Sequence, residues 1–149
     1  FACQQHRRDL IEFPDWMEHP NGAHGFASAT ILAEPDAQPS VRDWLAVLHG
    51  ADAVRDTDWG FAVATANGDW RVVSRATAPM LFGALPDELA PDGAPSVISL
   101  DIRCESLSRL RPFITAANFT SREVDGALIL SDVTRLGGIL LSFQEIPKT

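Results

Sequence analysis

Apolar and polar positions alternate along this chain in a way that changes period several times, and the changes mark its elements. Gly25 to Ala33 is a run of small and β-branched apolar residues stopped by Pro35, which predicts a strand. The period then lengthens. Val41, Trp44, Leu45 and Leu48 fall at i, i+3, i+4 and i+7, the spacing of one helical face, with Ser40 as the expected N-cap and Gly50 as the stop. Trp44 is expected on the buried face. Trp59 to Thr65 and Trp70 to Ser74 read as two strands of a hairpin, with Asn67-Gly68 supplying the positive φ angles of its turn. Pro79 to Phe82 reads as one more short strand.

The second half repeats this order. Ser96 to Ile102 predicts a strand, and Ser106 an N-cap for a helix with Leu107, Leu110, Phe113 and Ile114 inward. Pro112 removes one hydrogen bond from that helix and is expected to bend or shorten it. Strands follow around Arg122 to Val124, Ala127 to Leu130 and Ile139 to Gln144, separated by Asp125-Gly126 and Gly137-Gly138. Leu85 to Pro95, with three Pro, two Asp and a Glu, reads as a linker. The element order is therefore β-α-β-β-β twice, and neither half can cover its own sheet face. The two are expected to pack as paired modules, 25–84 and 95–146, around a shared concavity.

Composition narrows the partners. The chain has 149 residues, of which 46% are apolar, enough for a core that needs no disulfide or metal staple. Twenty acidic against twelve basic residues leave a formal charge of −8. That balance repels phosphate backbones and anionic bilayers, so neither nucleic acid nor a membrane is an expected partner. No apolar run approaches the roughly 18 to 20 residues of a transmembrane helix. Cys3 and Cys104 form no CxxC pair and no even framework, which fits a reducing, cytoplasmic location.

The paired pattern, with Phe-x-Cys-x-x-His at Phe1 to His6 and His-Pro-Asn-Gly-Ala at His19 to Ala23, resembles the glyoxalase-like branch of the vicinal oxygen chelate superfamily. The resemblance implies an α+β fold: two tandem βαβββ modules forming a half-barrel of the glyoxalase, bleomycin-resistance and dihydroxybiphenyl-dioxygenase type. It also implies that residues 1–24 comprise the end strand of an upstream module and a connector, followed by the domain at 25–149. Members of the superfamily include isomerases, dioxygenases, epimerases and resistance proteins, so the fold selects no reaction. Their ligands for a divalent metal are usually His and Glu on the first and last strands of each module, types that bind Fe, Mn, Ni or Zn and leave positions open for substrate oxygen.

This sequence departs from that pattern. Gly25 to Ala33 offers only small and aliphatic residues where a His is expected, near Ala29; Ser96 to Ile102 holds no His, and its Asp101 lies near the end. The last strand carries Ser142 where Glu is expected, with Glu145 beyond the cleft. No cofactor is expected on these residues, with a divalent metal kept as the alternative. Trp16, His19, Asn21 and Arg71 are the candidate ligand-binding residues. His19 can serve a cleft lid, a metal or proton transfer, or belong to a turn built by Pro20, Asn21 and Gly22. Arg71 and Arg75 alternate outward in a strand, placed to bind an anionic ligand or to face solvent. Three readings stay open: an enzyme of lyase, isomerase or dioxygenase type whose metal belongs to an upstream half, a metal-free module for a small molecule, and a domain that forms a homodimer.

Overall fold

A computed structural model describes residues 6, 7, 13, 18–90 and 92–145. Trp16 and the Phe1–Gln5 part of the first motif lie outside them. The elements are β1 (Ala23–Leu32), α1 (Gln38–His49), β2 (Val54–Thr57), β3 (Gly60–Thr65), β4 (Gly68–Val73), α2 (Pro79–Phe82), β5 (Ser96–Cys104), α3 (Leu107–Ala116), β6 (Ser121–Val124), β7 (Ala127–Leu130) and β8 (Leu140–Glu145). All eight strands join one sheet in the order β2-β3-β4-β1-β5-β8-β7-β6. Each half contributes four consecutive positions in the same internal order, and β1 and β5 pair antiparallel at the seam. The sheet curls into the paired-module half-barrel.

Helices α1 and α3 cover the convex face. Under α1, Leu45 meets Ile31, Phe61, Val63 and Val72; under α3, Leu110 and Ile114 meet Cys104, Leu128, Leu130 and Phe143. A third cluster lies on the concave side and draws on both halves, with Leu32, Val73, Ile129 and Leu140 packed against Phe82 and Leu89. The helical turn α2 and the segment after it therefore plug one end of the half-barrel. The stretch expected to be a linker contains Leu89, which is fully buried in that plug.

Several expectations are corrected. Pro79 to Phe82 is a helical turn, not a strand: Pro79 is pre-set for a first helical position, and the Ser74–Thr77 hydroxyl network, with Thr77 Oγ1 donating to Trp59 O at 2.6 Å, turns the chain out of the sheet just before it. The missing strand is β2, whose Arg55 and Asp56 disguise it as a loop. As an edge strand it buries little, so apolar periodicity is weak there. Helix α1 starts at Gln38 rather than after Ser40, with Pro39 in its first turn and the Gln38 amide donating to Ala33 O at 3.0 Å. Trp44 is 54% exposed, because the helix touches the sheet along a narrow line through Val41 and Leu45 that leaves Trp44 and Leu48 on its flank. Phe113 on α3 is exposed for the same reason.

Ser106 does cap α3, accepting from Arg109 N at 3.3 Å, and the helix runs through Pro112 to Ala116. Asp125 and Gly126 both take positive φ, 48° and 80°, in the two-residue turn between β6 and β7. In the first hairpin the turn residues are Ala66 and Asn67, and Gly68 already pairs with Thr65. Its glycine is required by approach to β1, since a Cβ there would sit 2.7 Å from Ala27 O.

Candidate functional site

Strand register decides which side chains share the concave face. Ser28 on β1 is opposite Asp69 on β4 and Asp101 on β5; Thr30 is opposite Arg71 and Ser99; Asp101 is in turn opposite Ser142 on β8. Because side chains alternate with period two, all of these project to the same side as Leu32 and Val73, the interior of the curl. A floor of polar residues thus continues the apolar plug. Ser28, Thr30, Ser99, Asp101 and Ser142 are each no more than 3% exposed.

The floor is organised by one carboxylate. Arg71 Nη1 donates to Asp101 Oδ2 at 2.7 Å, the Ser28 hydroxyl donates to the same oxygen, and the Ser99 hydroxyl donates to Oδ1 at 3.2 Å. Burial of a carboxylate is costly unless it is paired and hydrogen-bonded, and Asp101 has both kinds of partner. Arg71 keeps 27% of its side-chain exposure. The Thr30 hydroxyl, on a side chain with no exposed surface, has no hydrogen-bond partner among the described residues.

Above the floor lies a cleft of about 180 Å³, lined by Arg71, Asp101, Ser142 and Gln144, with Met80, Leu81 and Phe82 of α2 as an apolar wall and Val124, Asp125 and Ala127 at the rim. Arg122 on β6 ties that wall to the second module by donating to Phe82 O at 3.1 Å and to Ala84 O. The cleft therefore takes side chains from both halves.

Of the sequence candidates among the described residues, Arg71 is the one in this cleft. His19 and Asn21 lie elsewhere, at the start of β1, where His19 lines a different hollow of about 410 Å³ with Glu18, His24, Glu105 and Arg109. The two cavities share no lining residue. Turn chemistry accounts for this stretch: Gly22 N donates to His19 O at 2.8 Å, Asn21 Oδ1 accepts from Ala23 N at 2.9 Å, and Arg109 Nε donates to Pro20 O at 3.1 Å. His24 and His49 are exposed. Arg75 points away from the cleft network and donates to Leu89 O and Ala90 O, fastening the plug.

The residues that sequence reasoning set aside are Ser28, Thr30, Ser99 and Asp101. Their signal was present as polar residues at alternate positions of otherwise apolar strands, 28 and 30 in one and 99 and 101 in the other. Glu145 ends β8 on the convex side, where its Oε1 accepts from Leu107 N at 2.7 Å at the start of α3. Cys104 is fully buried beside it. Burial pushes the Cys104 thiol up, the Glu145 charge adds to this, and a backbone hydrogen bond from Ser106 opposes it. That environment makes a poor nucleophile.

No protein-family model and no curated protein sequence matches the chain. Solved structures do. A methylmalonyl-CoA epimerase from Mycobacterium tuberculosis superposes with a TM-score of 0.60 at 10% identity, over 89% of this chain and 94% of that one. The likeness is one of fold, the half-barrel of two tandem βαβββ modules. A selenomethionine form of methylmalonyl-CoA epimerase matches this chain with a TM-score of 0.52 at 7% identity, over 83% of this chain and 95% of that one. A variant of homoprotocatechuate 2,3-dioxygenase from B. fuscum matches with a TM-score of 0.50 at 9% identity; the matched region is 83% of this chain but 32% of the dioxygenase. At these identities the likeness carries the fold and no chemistry.

The vicinal oxygen chelate resemblance implies a divalent metal held by the first and last strands of the modules. Here those strands contribute Arg71, Asp101, Ser142 and Gln144 to the cleft lining: a permanent cation, one carboxylate, one hydroxyl and one amide. Among the described residues no three His, Cys, Asp or Glu side chains converge. No described helix is long and apolar enough to cross a membrane.

Proposed function

We propose that this domain binds a small organic molecule in its concave cleft and does so without a divalent metal. The observation that carries the reading is the Arg71–Asp101 pair on the floor, at 2.7 Å. A guanidinium cannot ligate a metal, and here it is paired with Asp101, the carboxylate of the module-end strands that lines this cleft. The donor set therefore does not fit the superfamily's metal, and no chemical step is routed through one. What the arrangement supplies is a rigid polar floor against an apolar wall, the composition of a small-molecule site. The sparse cysteine content supports a reducing compartment such as the cytoplasm.

Elemental analysis tests this reading. After exposure to Mn, Fe, Ni and Zn and extensive dialysis, the protein should retain no stoichiometric metal, and small-molecule binding should persist in EDTA. One tightly held metal per chain, lost in His19→Ala or Asp101→Asn, would overturn it.

A second reading, assembly of two copies, is supported by a separate observation. Trp44, Val47 and Leu48 on α1 are 54%, 85% and 54% exposed and lie on one flank of the helix. Contiguous apolar side chains of this kind favour coverage by a partner chain.

A further inference from the structure

The two helices on the convex face share one pattern: Val41-Arg42-x-Trp44-Leu45 in α1 reappears as Leu110-Arg111-x-Phe113-Ile114 in α3. In each helix the aliphatic pair packs on the sheet, and the arginine reaches the edge strand of its own module, Arg42 to Asp56 on β2 and Arg111 to Glu123 on β6. The aromatic follows two residues later, about 200° round the helix at about 100° per residue. Trp44 and Phe113 are therefore turned away from the sheet edges and toward the β1–β5 seam at its middle, and both are exposed. The convex face is thus two ridges with a valley between them. Helix α1 is centred over β4 and α3 over β8, three strand spacings or about 14 Å apart. Helices in contact lie about 8–10 Å apart, so these two leave the valley open, and a further helix can nest between them.

The valley floor carries Ala29 and Leu100 at the seam, with the exposed Phe26 and Val97 beside them, and none of the four is charged. A hollow of about 250 Å³ opens among Phe26, Ala29, Trp70 and Leu100, and Asp69 at its rim is paired with Arg55. Val47 stands near the crest of α1 as its most exposed apolar side chain. Phe26, Trp44, Val47, Leu48, Val97 and Phe113 together present about 600 Å² of apolar surface, taking about 200 Å² for a full side chain. That is the top of the range of about 300–600 Å² that a monomer leaves open, and with a polar rim it approaches the roughly 800 Å² per partner of a stable interface. A face that holds both an apolar ridge and an apolar valley contains its own complement, which is what a two-fold contact between identical chains requires. We infer that two copies of this chain pack convex face to convex face, α1 of each lying in the valley of the other, with Val47 entering the hollow and Trp44 and Phe113 forming the valley walls. The two concave clefts then open outward on opposite sides. This inference rests on the assembly reading given above and adds the seam and the second module's helix to it.

The test is sedimentation equilibrium of the parent chain and of Val47→Glu, Phe113→Gln and His49→Glu. The parent should pass from one chain to two as concentration rises. Added NaCl should strengthen the association, because it screens the repulsion between two chains of formal charge −8 and the valley floor offers no ion pair for salt to weaken. Val47→Glu puts a charge into an apolar contact and should weaken association about tenfold or more. Phe113→Gln, on the other helix, should weaken it severalfold, and His49→Glu, the same charge on the opposite flank of α1, should leave it unchanged. All three positions are exposed, so circular dichroism should match the parent. If Phe113→Gln does not fold, Val97→Glu on the valley floor carries the same comparison. A dimer lost in Val47→Glu but unchanged in Phe113→Gln and Val97→Glu would overturn the inference and leave the assembly reading standing on α1 alone. A dimer that salt weakens would also overturn the inference. A dimer unchanged in every variant, or a single chain at millimolar concentration, would overturn both.

Discussion

Replacing Asp101 by Asn keeps the size of the side chain and removes the charge that organises the cleft floor. Asp101 is 1% exposed and accepts from two hydroxyls and a guanidinium. Breaking a buried ion pair by deleting one member costs about 3–5 kcal/mol, because the other charge stays buried without compensation. Arg71 retains 27% of its side-chain exposure, so solvent offsets part of that cost, and the expected loss for Asp101→Asn is about 2–4 kcal/mol. Arg71→Met strands the more deeply buried partner and should cost about 3–5 kcal/mol. The double variant has no buried charge left, so its loss should fall short of the sum by about 2 kcal/mol or more. Urea unfolding followed by fluorescence of the four tryptophans gives all three values from the same curves. Single variants within about 0.5 kcal/mol of the parent, or strictly additive losses, would refute the view that this pair forms a buried, mutually dependent unit.

Three further outcomes follow from the packing. Gly60→Ala would place a Cβ 2.1 Å from Val72 O at a φ of 146° and should cost about 3 kcal/mol or more in urea midpoint terms, whereas Gly25→Ala, with nothing within 4 Å, should cost about 1 kcal/mol. Burial and Glu145 raise the Cys104 thiol above its ordinary value of 9.0, so the folded state keeps that proton to higher pH than the unfolded chain. The stabilising contribution is full below the ordinary value and is lost as pH rises through the raised one; urea midpoints should show an alkaline decline that is smaller in Cys104→Ala. Val47→Ser, at a side chain 85% exposed, should change stability by less than about 0.5 kcal/mol. Sedimentation of that variant against the parent distinguishes a covered α1 face, where mass falls, from a free one, where it does not.

The parts of this fold that local chemistry determines were legible. The β6–β7 turn announces itself in Asp125-Gly126, the cap of α3 in Ser106, and the strands β5 and β8 in their apolar runs. What escaped depends on tertiary context. Strand β2 has a single large apolar residue, Val54, and becomes a strand by pairing with β3. The four-residue run Pro79 to Phe82 suits strand or helix equally, and the Thr77 hydroxyl contact with Trp59 O decides it. The cleft was legible only at Arg71. Asp101 looked peripheral because its partners lie 30 and 73 positions away, and small polar residues such as Ser28 and Thr30 carry no charge or ring to draw attention.

The seam between β1 and β5 also sets when the site can come into being. Hairpins such as β3–β4 and β6–β7 join neighbours in the chain and can close in microseconds, whereas Ser28 must find Asp101 across 73 positions. Long-range pairings of this kind are slow to form, since chain entropy is lost before any contact compensates it. During synthesis Ser28, Thr30 and Arg71 are made well before Asp101, and the whole floor waits on β5. In refolding, secondary structure should therefore return ahead of any capacity to hold a ligand, and neither half of the chain expressed alone contains a complete cleft floor.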